Sequence, residues 1–150
     1  MLHGHARLEL AREKKVGNRI KREVVKVIEH DNTITPYTSD VLNDGNFHYQ
    51  IEPSKLMPIS QFFDGCLLTD KANVASLSMI AGDSEVTAMA GKSSYSGLNE
   101  KRGTYNQIES GNITGGIRQV WDWGTAYGNG PIASVCLTRS KLGEVEMHDD

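Results

Sequence analysis

The sequence predicts one mainly β domain, an antiparallel sandwich or barrel-like fold with minor short helices. Three observations predict it: a strand–turn–strand pattern near the amino terminus, successive strand-like segments in the last third, and 15 glycines against 4 prolines. Glycines between strand-like segments are typical of turn-rich β proteins. The chain has 150 residues, of which 38% are hydrophobic and 23% charged, so it is long enough to bury a core without a metal or disulfide.

Residues 5–35 are predicted to form a β-hairpin. Apolar and charged side chains alternate in the run HARLELARE, with Ala6, Leu8 and Leu10 on one face, as in a half-buried strand. A Gly17-Asn18 pair follows and is a hairpin-turn signal. The return run EVVKVIEH is rich in β-branched residues, which favour a strand.

The domain is predicted to span residues 1–139 and to be least regular in the middle. Residues 36–103 are expected to be loop-rich, with a short strand over 66–69. Residues 71–104 are interpreted as a loop or lid that docks against a neighbour, with a short helix over 84–90 as the alternative. Successive strands are predicted over residues 104–139, in the runs GTYNQIESGNITGG, GIRQVWDWGT and PIASVCLTRS. The acidic tail, 140–150, is interpreted as a linker or the start of a continuation.

Charge and hydropathy exclude several classes of partner. The net charge of −3 does not provide the basic surface that nucleic-acid binding needs, so no nucleic-acid partner is expected. No apolar run approaches ~18 residues, so no membrane span is expected. The basic residues of the hairpin, including Arg19 and Arg22, indicate a solvated surface or a docking site for an acidic partner. The amino terminus lacks the pattern of a signal peptide, which predicts synthesis in the cytoplasm.

No motif indicates catalysis, so the chain is predicted not to be an enzyme, with no catalytic residue, metal or cofactor. There is no GxSxG elbow, and the carboxylates are scattered. Cys66 and Cys136 lie in apolar runs and are expected to be buried thiols, with their pairing left open. His3 and His5 would need a further ligand such as His30 or His48 to hold a metal.

Trp121 and Trp123 are the most distinctive pair in the chain. Residues at i and i+2 share one face of a strand. On an exposed face, two indoles would stack on sugar rings or anchor a partner; on a buried face they belong to the core. Only 7% of the residues are aromatic, which favours use in the core.

Several phrases, taken in order, resemble a known group of proteins. They are MLHGHARLEL, VIEHDNTIT, FFDGCLLTD, RGTYNQIESG, VWDW and NGPIASVCLT. The chain resembles the amino-terminal region of tail fibre, tail-tip or minor structural proteins from tailed phages and prophages of Firmicutes. The likeness covers about residues 1–35 and 62–138.

The resemblance implies a virion structural protein, assembled in the host cytoplasm, that serves as an attachment domain of a tail fibre, tail tip or receptor-binding component. Its implied partners are other virion proteins of the tail, baseplate or capsid, and the implied oligomer is a homotrimer. A cell-surface glycan is a further expected partner. The alternatives are a head fibre or decoration protein, and a carbohydrate-binding module that uses Trp121 and Trp123.

Overall fold

The computed structural model describes residues 3–32, 63–72 and 83–138. These residues form nine strands in antiparallel sheets and no helix, which confirms the mainly β, antiparallel fold. The strands are β1 (Gly4–Val16), β2 (Arg19–Asn32), β3 (Gly65–Thr69), β4 (Val86–Gly91), β5 (Thr104–Tyr105), β6 (Gly111–Ile113), β7 (Gly116–Arg118), β8 (Trp121–Asp122) and β9 (Ser134–Thr138).

The predicted hairpin is confirmed. Strands β1 and β2 pair along their whole length, from Gly4 opposite Asn32 to Val16 opposite Arg19. The two-residue turn has Gly17 at φ +61°, the left-handed conformation that matches the twist of a tight hairpin. Because side chains of directly opposed residues lie on the same face, the register fixes which residues of the two strands meet.

A β-bulge in β2 explains the imperfect alternation of EVVKVIEH. The register shifts between Leu10 and Ala11, so that Leu10 faces Lys26 and Ala11 faces Val24. Val25 is therefore the extra residue of the bulge. A bulge lets one strand hold an additional residue and locally disturbs its edge.

The core lies on a three-stranded sheet of order β4-β3-β9. The buried apolar residues are Cys66, Leu68, Ala88 and Ala90. Residues 101–103 run along the outer side of β4, where Met89 accepts from Gly103 N–H at 2.8 Å and donates its own N–H to the Lys101 carbonyl at 2.8 Å. The central position of β3 explains its apolar sequence, GCLLT, because both of its edges are paired.

Strand β4 corrects the expectation of an irregular segment. The sequence predicted a loop or a short helix over 84–90, whereas Val86–Gly91 is a strand. Ala88 and Ala90 are fully buried, and Trp121 and Trp123 pack against the core cluster that contains Ala88. Pairing with β3 and burial override the weak β propensity of alanine and glycine.

The strands predicted over 104–125 are shorter and more numerous than the sequence suggested. Strand β5 pairs with β8, and β6 pairs with β7, so neither GTYNQIESGNITGG nor GIRQVWDWGT is one continuous strand. Asn106 causes the first break: its Oδ1 accepts from Ile108 N–H at 3.1 Å and Glu109 N–H at 3.0 Å. Gln119 lies at the second break, and its Nε2 donates to the Phe63 carbonyl at 2.8 Å. Side chain–backbone bonds of this kind compete with the strand ladder.

The strand predicted over PIASVCLTRS is confirmed as β9, which begins at Ser134 after Pro131. The strand predicted over 66–69 is confirmed as part of β3. The end of the hairpin at 33–35, most of the middle segment, His48 and the tail at 140–150 lie outside the described residues.

Candidate functional site

The hairpin presents a surface that we call the apolar hairpin face: Ala6, Leu8, Leu10 and Ile28. Leu8 lies directly opposite Ile28 in the register, so the two side chains share this face. Leu10 is 42% exposed and Ile28 is 44% exposed. The strand was predicted to be half-buried, and this face agrees with that, because Leu8 is half-buried and Leu10 and Ile28 are a little less than half exposed. Large apolar side chains left open to water in a contiguous group indicate an interaction surface.

The opposite face of the hairpin is charged. His5 lies 3.1 Å from Asp31, and Arg7 donates to Glu29 at 2.6 Å and to Glu9 at 2.9 Å. The hydrogen bonds to Glu9 and Glu29 raise the pKa of the Arg7 guanidinium, so it stays charged at any physiological pH. This charged hairpin face is therefore of the solvated kind, with mixed signs.

The long edges of the hairpin are its second notable feature. Among the described strands, neither β1 nor β2 pairs with any strand except the other. A lone two-stranded hairpin is marginally stable in water, and an unpaired edge is a template for another strand. The bulge at Val25 interrupts the β2 edge, whereas β1 offers 13 regular residues. The β1 edge is thus the better template.

The two basic residues singled out in the sequence lie in different places. Arg19 is exposed beside the hairpin turn, opposite Val16. Arg22 donates to the Asp122 Oδ1 at 3.2 Å and so links the hairpin to the compact part of the chain. The other carboxylate oxygen of Asp122 accepts from Asn106 Nδ2 at 2.7 Å.

Trp121 and Trp123 both pack against the core cluster of Cys66, Leu68 and Ala88. Trp123 Nε1 donates to the Lys101 carbonyl at 3.2 Å. The Trp121 ring meets Tyr105 edge-to-face with centroids 6.0 Å apart. Its N–H is buried and has no hydrogen-bond partner among the described residues. Both indoles are therefore used in the core, which speaks against a pair of exposed rings for sugar stacking.

Replacing Trp121 by alanine is expected to lower the free energy of unfolding by about 3 kcal/mol, the lower end for a buried aromatic ring because Trp121 is half-buried. Trp121→Phe is expected to cost less, since it keeps most of the ring and removes the unsatisfied N–H. Urea denaturation followed by far-UV circular dichroism measures both. An alanine variant as stable as the original chain would contradict the core assignment.

Sequence reasoning missed a shallow cleft of about 280 Å³ beside the tryptophans. Tyr95, Arg102, Asp122 and Tyr127 contribute to its lining. Arg102 is only 5% exposed, and its guanidinium lies 4.6 Å from the centroid of the Tyr95 ring. No pattern in the sequence signals this cleft because its residues come from separate segments of the chain. Its volume is at the lower limit for small-molecule sites, and the Asp122 carboxylate is already bonded on both oxygens.

The histidines of the hairpin do not converge. His5 lies opposite Asp31 and His30 opposite Ala6, so the two imidazoles are on different faces. His30 Nδ1 lies 2.6 Å from the Asp31 carbonyl oxygen. In the part of the chain that the structure describes, no group of three or more His, Cys, Asp or Glu side chains is placed to hold a metal.

Cys66 and Cys136 are not joined by a disulfide. Cys66 lies opposite Leu137, and Leu67 lies opposite Cys136, so the two thiols are on opposite faces of adjacent strands. A disulfide would need their Cβ atoms to point toward each other. Burial raises the pKa of the Cys66 thiol to about 12, with a smaller contribution from Cys136, so Cys66 is not a thiolate nucleophile at neutral pH.

Comparisons with protein families, curated proteins and solved structures found no match to this chain. Over residues 3–32, 63–72 and 83–138, no helix has the length and apolarity to cross a membrane.

Proposed function

We propose that this chain is a structural protein of a phage virion, an attachment domain of a tail fibre, tail tip or receptor-binding component. The observation that carries the proposal is the hairpin. It combines the apolar hairpin face with a regular β1 edge that pairs with no strand except β2 within residues 3–32, 63–72 and 83–138. This combination has little use in an isolated monomer. It suits a chain whose task is to join other chains.

The energetics favour burial of this face in an assembly. Full burial of a leucine or isoleucine side chain contributes about 1.5–3 kcal/mol. Leu10 and Ile28 are a little less than half exposed, so each would add about 1 kcal/mol on docking. Pairing of the β1 edge with a strand of a partner would add backbone hydrogen bonds between the two chains. Together these terms favour docking of the hairpin over its exposure to water.

The virion assignment is supported by the resemblance described above. Its phrases include residues of both hairpin strands and of β3 and β9 in the three-stranded sheet. The homotrimer, the glycan partner and the position at tail or capsid stay predictions of that resemblance.

Mass spectrometry of purified particles tests the proposal. The protein is expected at a fixed copy number in virions of the phage or prophage that encodes it, and cryo-electron microscopy would then give its position at tail or head. Its absence from purified particles would contradict the assignment.

A pair of neighbouring variants tests the role of the hairpin. Ile28→Asp places a charge on the apolar hairpin face and is expected to abolish incorporation into particles. Val27→Lys is the matched control, because Val27 is 42% exposed against 44% for Ile28 but lies opposite Glu9 on the charged face, where a lysine meets an acid. Incorporation of Ile28→Asp at the level of both Val27→Lys and the original chain would show that the apolar hairpin face is not the docking surface.

A further inference from the structure

We propose that the β1 edge is a self-complementary docking site for a second copy of this chain. The two copies would pair β1 against β1, antiparallel, about a two-fold axis through Leu8, to give one four-stranded sheet of order β2-β1-β1-β2. The inference rests on the assembly role proposed for the hairpin and uses nothing specific to a virion.

The register about Leu8 matches the apolar hairpin face to itself. In this register, Leu8 lies opposite the second copy's Leu8, and Ala6 lies opposite its Leu10. A two-fold axis perpendicular to the sheet keeps equivalent faces on the same side, so Ile28 of each copy lies on that face as well. The apolar groups of the two hairpins become one continuous patch, and an isologous interface of this kind closes on itself.

The same register also places opposite charges across from each other on the charged hairpin faces of the two copies. Arg7 of each copy lies opposite Glu9 of the other, and opposite charges directly across a strand pair stabilise it. Arg7 already bonds Glu9 and Glu29 within its own chain, so the pair would form one network of alternating charges. A register centred on Leu10 instead places Leu8 opposite Arg12 and loses the apolar match.

The positions of the basic residues and of the bulge also favour the β1 edge over the β2 edge as the site that pairs with a second copy. The two-fold register overlaps residues 4–12 of each copy and leaves the basic turn region, which carries Lys14, Lys15 and Arg19, outside the overlap. Like charges are thereby kept apart. A three-fold arrangement would instead join β1 of one copy to β2 of the next, and the Val25 bulge interrupts that edge.

Disulfide trapping in the full-length chain tests the pair. Directly opposed Cα atoms in antiparallel strands lie about 4.5–5.5 Å apart, within the span of a disulfide. Leu8→Cys is therefore expected to form a covalent dimer on mild oxidation. Leu10→Cys is the matched control, on the same strand and face, because its own counterpart would lie about 13 Å away along the strand. Non-reducing electrophoresis and intact mass measure the yield, with the original chain as background for Cys66 and Cys136.

Charge reversal supplies a second readout that does not depend on cysteine variants. Arg7→Glu is expected to weaken self-association by about tenfold or more, a change of about 1.4 kcal/mol, because it places acids opposite one another. The triple variant Arg7→Glu, Glu9→Arg, Glu29→Arg restores opposite signs both between the copies and across the hairpin, where residue 7 lies opposite residue 29. It is expected to recover the affinity. Analytical ultracentrifugation of each protein gives the dissociation constants.

Three results would overturn the inference: equal disulfide yields from Leu8→Cys and Leu10→Cys, a monomer at all concentrations, or a trimer joined through β1 and β2. A monomer whose β1 amides are protected from hydrogen exchange would show that another segment of the same chain covers the edge. If Ile28→Asp still abolishes particle incorporation while the chain stays monomeric, the proposed function stands and the two-fold pair does not.

Discussion

The Gly128→Ala variant is expected to lose about 2–5 kcal/mol of its free energy of unfolding. Gly128 has φ +64°, and a Cβ added there would lie 2.8 Å from Trp123 Cδ1 and 2.9 Å from Ala88 Cβ. The left-handed backbone costs an L-residue about 1–2 kcal/mol, and forcing an extra carbon into a packed core costs about 1–3 kcal/mol more. Neither neighbour can yield easily, because Ala88 is fully buried and Trp123 packs on the core.

Gly115→Ala is the matched control. Gly115 has φ +78° with nothing within 4 Å of the added Cβ, so only the backbone cost of about 1–2 kcal/mol is expected there. Urea denaturation of both variants separates the packing contribution from the backbone contribution. Equal losses would show that the Trp123 ring moves aside without cost and is not fixed in the core.

The hairpin was predictable because its signals are local. The Gly17-Asn18 turn and the alternation around it are encoded within a few residues, and the two strands are adjacent in sequence. Strand β4 was not predictable in the same way. Its residues, VTAMAG, carry weak strand propensity, and what makes them a strand is pairing with β3, which ends at Thr69, together with the burial of Ala88.

The candidate site was predictable only in part. Alternation in β1 predicts an apolar face, but the same pattern fits a face covered by the chain's own core and a face left for a partner. Likewise, the i, i+2 spacing of Trp121 and Trp123 places both side chains on one face of a strand. The spacing does not show which face of that strand is buried. The packing of both rings over Cys66, Leu68 and Ala88 decides that question, and it depends on contacts between distant segments.

The self-complementarity of β1 is a property of the sequence that becomes visible only with the register known. When two copies of β1 pair about Leu8, apolar residues lie opposite apolar residues on one face. On the other face, Arg7 of each copy lies opposite Glu9 of the other, so opposite charges meet. The hairpin register shows that Ile28 joins the apolar side. The bulge at Val25 then distinguishes the two edges, which no propensity argument could have done.

Raising the pH from 9 to 12 is expected to destabilise the fold through Cys66. Burial raises the pKa of its thiol from the ordinary 9.0 to about 12. Below pH 9 the thiol is protonated in both states, and its contribution to stability is constant. Above pH 9 the unfolded chain releases this proton while the folded chain keeps it, so the free energy of unfolding falls. The slope is at most about 1.4 kcal/mol per pH unit, or about 4 kcal/mol over the whole interval.

Cys66→Ala is the control that isolates this contribution, because the two proteins differ in no other titratable group. Urea denaturation at several pH values is expected to give a steeper loss of stability for the original chain than for Cys66→Ala. Parallel losses would show that water reaches the thiol in the folded state. That result would also contradict the burial of β3, since Cys66 faces Ala90 on one side and Leu137 on the other and reports on the centre of the sheet.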